Sequence, residues 1–167
     1  LGYVSPIAKE IELKLKQQNF IDRATIAGSM RRMKETIHDV DILVTASDHK
    51  KTIDFFTSLL QIKKVLAKGD TNASILLKNN LQCDIRVLDD KLYGSALNYF
   101  TGSKEHSVKL RQLAIKKGLK LSEYGVFKGK KLLAFKTEEE VYRALGLQYI
   151  EPELREDTGE VEAALNN

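Results

Sequence analysis

The apolar residues of this chain change period twice, and that change limits the folds open to it. Ile7, Ile11 and Leu15 recur every fourth position behind a Ser5-Pro6 start, which predicts a helix ending near Asn19. From Ile21 to Leu88 short β-type runs take over: 24–27, 39–45, 65–68, 73–77 and 81–88. One helical segment separates the second run from the third, capped by Ser47 or Asp48, with Ile53, Phe56 and Leu60 in its stripe. Asn79-Asn80 and residues 69–72 carry turn chemistry. The pattern predicts a mixed, largely antiparallel sheet with helices on one face, an α+β domain.

After Leu88 the helical period returns over 93–100 and 104–117, and stops at Gly118. A hairpin is expected at Gly129-Lys130, between Val126-Phe127 and the run 132–135. Thr137-Glu138-Glu139-Glu140 reads as a capping box opening a helix that Gly146 closes. A subdomain boundary is therefore expected near residues 90 to 100. The acidic end, 151–167, is expected to be a terminal helix or a solvated linker.

A chain of 167 residues hides roughly 70% of the surface its unfolded form exposes, so one domain or two small subdomains can fold without disulfides or a structural metal. The single cysteine, Cys83, agrees and points to a reducing compartment; it reads as a small buried hydrophobe. No apolar run exceeds the four residues 132–135, which excludes a membrane-spanning helix and a secretory leader, so an intracellular, cytoplasmic protein without membrane contact is expected. The chain opens on Leu1 rather than Met, and is expected to be a piece of something longer.

The net charge of +4 is mild, but its layout is polarised. Residues 104–136 carry ten basic and two acidic side chains, whereas 138–167 carry two basic and nine acidic. The basic stretch, with Lys104, Lys109, Lys116, Lys117 and Lys120, reads either as a solvated face or as a surface for a phosphate backbone.

The segment with the most chemistry runs from Gly28 to Val44: a strand, a Gly-Ser turn, a short basic helix, then a strand that begins Asp39-Val40-Asp41. Strand alternation sends Asp39 and Asp41 to one side, Cα atoms about 6.5 Å apart, and Val40, Ile42 and Val44 to the other. Carboxylates at that spacing suit a pair of hard divalent cations of the kind that draw together the attacking and leaving oxygens of a phosphoryl transfer. In Gln82-Cys83-Asp84-Ile85-Arg86-Val87, the same alternation offers Asp84 as a third carboxylate.

Upstream, Gly28 lets the backbone approach a phosphate, and Ser29 and Arg32 are natural triphosphate ligands. Arg86 fits equally a substrate neighbour of Asp84 and a partner restraining its charge. His38, His49 and His106 have no zinc spacing and read as surface or turn residues. From spacing alone, Tyr99 and Phe100 read as core packing at a subdomain junction.

Together with Leu97-Asn98-Tyr99-Phe100-Thr101-Gly102-Ser103, then Arg111, then the run 118–125, these motifs resemble the X-family DNA polymerases, which include DNA polymerase beta and the bacterial and archaeal PolX enzymes. The resemblance covers essentially the whole chain. It implies a nucleotidyltransferase palm over 1–95, a small α/β, nucleotide-selecting thumb over 96–150, and an acidic tail or linker over 151–167 leading to a PHP phosphoesterase domain.

By the same resemblance, Asp39 and Asp41 would bridge two Mg²⁺ ions, with Mn²⁺ as a possible substitute, and Asp84 would bind the catalytic ion and help accept the primer 3′-hydroxyl proton. Ser29, Arg32 and the backbone amide at His38, where relatives often carry Gly, would hold the triphosphate. Tyr99 and Phe100 would lie against the sugar and base, Gly102 would form a steric gate against ribonucleotides, and a cis peptide is implied at Gly102-Ser103.

Ser107 stands where many relatives place a base-reading Asn; Lys109 and Arg111 would track DNA. The implied activity is template-directed transfer of dNMP from a dNTP to a primer on gapped DNA, as in base excision repair, by a nucleoid-associated monomer. A template-independent nucleotidyltransferase, and a DNA-docking module inactive without further domains, are the competing expectations.

Overall fold

A computed structural model describes residues 6–33 and 39–165, in two compact units that divide between Asp90 and Lys91. The first unit contains α1 (Pro6–Lys16), β1 (Arg23–Ala27), α2 (Gly28–Arg31), β2 (Asp39–Thr45), α3 (His49–Phe56), β3 (Ile62–Lys68), β4 (Asn72–Leu77) and β5 (Gln82–Leu88). Its five strands lie in the order β1-β2-β5-β4-β3. Only β2 and β5 run parallel, and every other pair is antiparallel, so the sheet is mixed and the architecture α+β.

One face of this sheet is the core. Val40, Ile42 and Val44 of β2, with Cys83, Ile85 and Val87 of β5, are buried there with Ala8, Ile11 and Leu15 of α1 and Ile53 and Phe56 of α3. Burial, with Asp84 and Asp41 nearby, pushes the Cys83 thiol up and keeps it an inert hydrophobe. The opposite face takes the alternate residues, and with them all three predicted carboxylates.

Two boundaries depart from the periodicity. α1 stops at Lys16, short of Asn19. α3 stops at Phe56, so Leu60 leaves the stripe and is 79% exposed. The hydroxyls of Thr57 and Ser58 donate to the carbonyls of Ile53 and Phe55, each at 2.9 Å, and take up acceptors the helix end would otherwise offer. Of the two candidate caps, Asp48 is used: its carboxylate accepts from the Lys51 amide at 3.0 Å. Ser5 lies outside the described residues. β3 begins three residues earlier than expected and is exposed from Lys63 onward; Lys63, Lys64 and Lys68 keep this outer strand from pairing with another chain.

The second unit contains α4 (Tyr93–Thr101), α5 (Lys104–Lys116), a three-stranded antiparallel sheet of β6 (Lys120–Ser122), β7 (Gly125–Lys128) and β8 (Lys131–Leu133), then α6 (Glu138–Ala144) and α7 (Glu160–Ala164). Thr137 caps α6 by accepting from the Glu140 amide, and Gly146 ends that helical stretch at φ +72°.

Of the two expectations for the acidic stretch from Glu151, the structure has the helix, α7, and packs it into this unit. Val161 and Ala164 are buried with Leu110, Ala114, Tyr142, Leu145, Leu147 and Ile150. The segment also bonds back through Ser103 N–H to the carbonyl of Arg155 at 3.0 Å. Its two apolar anchors, Val161 and Ala164, stand three residues apart on one face of α7.

Candidate active site

The parallel pairing of β2 with β5 sets the register of the carboxylates: Asp41 stands opposite Asp84, and Asp39 opposite Gln82. On its other side Asp41 pairs with Ala27, the last residue of β1. The chain then turns at Gly28, with φ +64°, into the single turn α2. A side chain at Gly28 would place its Cβ 2.3 Å from Asp41 Oδ2, so glycine is required here both for backbone conformation and for space.

The ledge is electrostatically loaded. Asp39 is exposed, while Asp41 and Asp84 are half-buried. Burial, then the charges of Asp84 and Asp39, raise the Asp41 carboxyl to about 6 against the lowering effect of Arg32. Gln82 donates from Nε2 to Asp84 Oδ1 at 3.1 Å and orients that carboxylate. Sequence reading passed over Gln82, although the period of two that selected Asp84 also puts Gln82 on its face.

Among the described residues, no three His, Cys, Asp or Glu side chains already converge as a closed metal cage. The donor set nevertheless fits hard divalent cations. It is all carboxylate oxygen, it spans neighbouring positions of two strands, and its own repulsion would be relieved by positive charge.

Ser29 and Arg32 lie half-buried in the turn after Gly28, so Gly28, Ser29, Arg32, Asp39, Asp41 and Asp84 all fall in the first unit around the β1–α2 junction and the heads of β2 and β5. His38 lies outside the described residues.

The other predicted residues belong to the second unit. Tyr99 and Phe100 end α4 as an edge-to-face pair, centroids 5.0 Å apart. Gly102 follows with φ +70°, and the Gly102–Ser103 peptide is cis. Ser107 and Arg111 lie one turn apart on α5. Arg111 lines a groove of about 390 Å³ with Tyr99, Ile115, Lys120, Ser122 and Tyr124. Lys109 is already engaged: its ammonium meets Glu162 at 2.5 Å and Asp157 at 3.5 Å.

His106 corrects the expectation of a surface or turn residue. It is fully buried, with Nδ1 2.6 Å from Glu160 Oε2 and Nε2 2.9 Å from the Tyr142 hydroxyl. His49 stays near the surface and meets Asp89 at 2.9 Å.

Comparison with known proteins gives the family. Residues 96–156 match the family model described as DNA polymerase beta thumb. Over 97% of its length the chain is 39% identical to the DNA polymerase/3′-5′ exonuclease PolX of Bacillus subtilis, of which it spans 29%. It is 30% identical to a repair DNA polymerase X of African swine fever virus, with 86% of this chain and 84% of the viral protein covered. It is 31% identical to DNA polymerase lambda of Rattus norvegicus over 77% of this chain and 28% of that protein. The chain belongs to the X family of DNA polymerases, which are nucleotidyltransferases.

Proposed function

We propose that this chain transfers dNMP from a dNTP to a primer 3′-hydroxyl under the direction of a template, filling short gaps in DNA under repair. The observation that carries the reading is the juxtaposition of Asp41 and Asp84 across a parallel ladder, beside a glycine that admits the Asp41 carboxylate. Asp39, Asp41 and Asp84 would hold two Mg²⁺ ions, which when bound neutralise phosphate charge and lower the pKa of the attacking hydroxyl.

The protein's own groups supply the rest. Asp84, held by Gln82, is oriented to accept the hydroxyl proton. Ser29 and the guanidinium of Arg32 receive the β and γ phosphates, with the His38 amide as a further donor. In the second unit the edge-to-face Tyr99–Phe100 pair offers its flat surface to sugar and base. Gly102 presents bare backbone where a 2′-hydroxyl would need room. Ser107 and Arg111 face the DNA strands from α5, with Lys109 contributing once released from Glu162 and Asp157.

Among the described residues no helix is long and apolar enough to cross a membrane. Separately, the polymerase reading carries the proposal of an intracellular, nucleoid-associated monomer working on gapped DNA.

The test is extension of a labelled primer across a one-nucleotide gap with each dNTP and Mg²⁺, beside Asp84→Ala. Extension that follows the template base and disappears in the variant is expected. Untemplated addition would assign the chain to the tailing nucleotidyltransferases. Tight DNA binding without extension would make it a docking module.

A further inference from the structure

The second unit contains a buried polar lattice that the carboxylate ledge does not use. Its centre is His106, in the first turn of α5. Burial outweighs its carboxylate neighbour and holds the imidazole below its ordinary pKa. Glu160 stays below the usual carboxylate range because, against its own burial, hydrogen bonds from His106 and from the Asp157 and Thr158 amides favour its charge. Facing a carboxylate, which only accepts, Nδ1 is the donor of the pair, and Nε2 meets the Tyr142 hydroxyl.

Two further bonds tie this lattice to the segment ahead of α5, and two more fix Arg155, which receives one of them. Ser103 Oγ accepts from the His106 amide at 3.2 Å, capping the helix. The Ser103 amide donates to the Arg155 carbonyl at 3.0 Å. Arg155, itself fully buried, donates from Nη1 to Glu138 at 2.6 Å and from Nε to the Ile150 carbonyl at 2.9 Å, and lies over the rings of Tyr142 and Tyr149. Gly102 and Ser103 thus hang from residues 155–160 by one backbone bond and one side-chain bridge.

We infer that Glu160 and His106 form a latch by which α7 holds the Tyr99–Ser103 segment in the conformation that selects the nucleotide. Glu160, His106 and Arg155 are positioning residues, since each acts through the segment and none meets substrate. This inference rests on the polymerase reading for its consequence, but the latch can be tested without it.

The experiment compares wild type with Glu160→Ala, Glu160→Gln and His106→Phe. His106→Phe keeps a flat ring at the position, somewhat larger than imidazole, while cutting the bridge, and guards against a Glu160→Ala chain that does not fold. Amide hydrogen exchange is read at Ser103 and His106, with Val40 and Ile85 of the first unit as controls. Acceleration of about tenfold or more at Ser103 and His106, with the controls unchanged, is expected for Glu160→Ala and His106→Phe.

In gap filling, the same two variants should raise the KM for dNTP by about tenfold while DNA affinity stays within about threefold. Glu160→Gln keeps an acceptor for Nδ1–H and should restore most of both readouts. Unchanged exchange in a folded variant overturns the latch. Faster exchange with an unchanged KM overturns its role in selection. Wild type that fails to extend would refute the polymerase reading alone, and the exchange arm would still decide the latch.

Discussion

Asp41 of β2 and Asp84 of β5 are direct register partners in the one parallel pair of the first sheet, and Asp39 stands two residues before Asp41 on the same face. Three carboxylates on neighbouring strand positions cannot all be charged cheaply, and half-buried Asp41, which stands next to both others, bears the consequence with a pKa raised to about 6. The ledge is thus a place where stability is given up in the absence of cations.

The pH dependence follows. An acid whose folded pKa lies above its unfolded value leaves stability intact below about 3.8, and removes it as pH rises to about 6 and beyond. Asp41→Asn should therefore stabilise the metal-free protein at pH 8 by about 1 to 3 kcal/mol, and change little at pH 4. Urea denaturation in a chelator at both pH values measures this. Mg²⁺ should then stabilise wild type more than the variant, since the repelling carboxylate is also the proposed ligand.

Gly28→Ala tests the other side of the same residue. The added methyl would stand 2.3 Å from Asp41 Oδ2, on a backbone at φ +64°. The left-handed conformation alone costs an alanine about 1 to 2 kcal/mol. Displacing Asp41 by about an ångström should cut gap filling by about a hundredfold, because the reacting groups would no longer be aligned. A folded variant with wild-type extension would show that the close approach of Gly28 to Asp41 has no part in the reaction.

The legibility of these features follows from their range in sequence. The Asp39–Asp41 ledge and the choice of Asp84 needed only strand alternation, and β2 was bounded at its observed residues. Gln82 lies two residues before Asp84 on the same face of β5, so alternation placed it beside the carboxylate, but a neutral amide carries no signal of its own chemistry. The His106 lattice was illegible for a different reason: its partners lie 36 and 54 residues away, and a buried histidine has the same local sequence as a surface one. The acidic stretch was open to a terminal helix or a linker because charge dominates its composition; the helix rests on the burial of Val161 and Ala164, beside a buried Arg155 that pairs with Glu138.

His106 predicts an acid weakness. A histidine held below its ordinary pKa of 6.5 supports the fold above that value, and the support is lost as pH falls, because the unfolded chain takes up a proton that the folded one resists. The groups around it, Glu160, Tyr142, Arg155 and Asp157, leave burial as the dominant influence. Wild type should lose stability between pH 7.5 and 5.5 by a margin that His106→Phe does not show. Paired urea midpoints at the two pH values decide it, and parallel losses in both proteins would contradict the assignment.

The polarised charge of the second unit bears on how DNA binding responds to salt. Each phosphate contact contributes about 0.9 to the slope of log affinity against log salt. Arg111 lines the exposed groove, whereas the Lys109 ammonium is held by Glu162 and Asp157. Arg111→Ala should therefore lower the slope by about 1, and Lys109→Ala by clearly less. Glu162→Gln removes the nearer restraint, and should steepen the slope as Lys109 becomes available to phosphate. Fluorescence anisotropy on gapped DNA across a salt series measures all three; equal slopes for Lys109→Ala and Arg111→Ala would mean that DNA displaces the acidic partners of Lys109 outright.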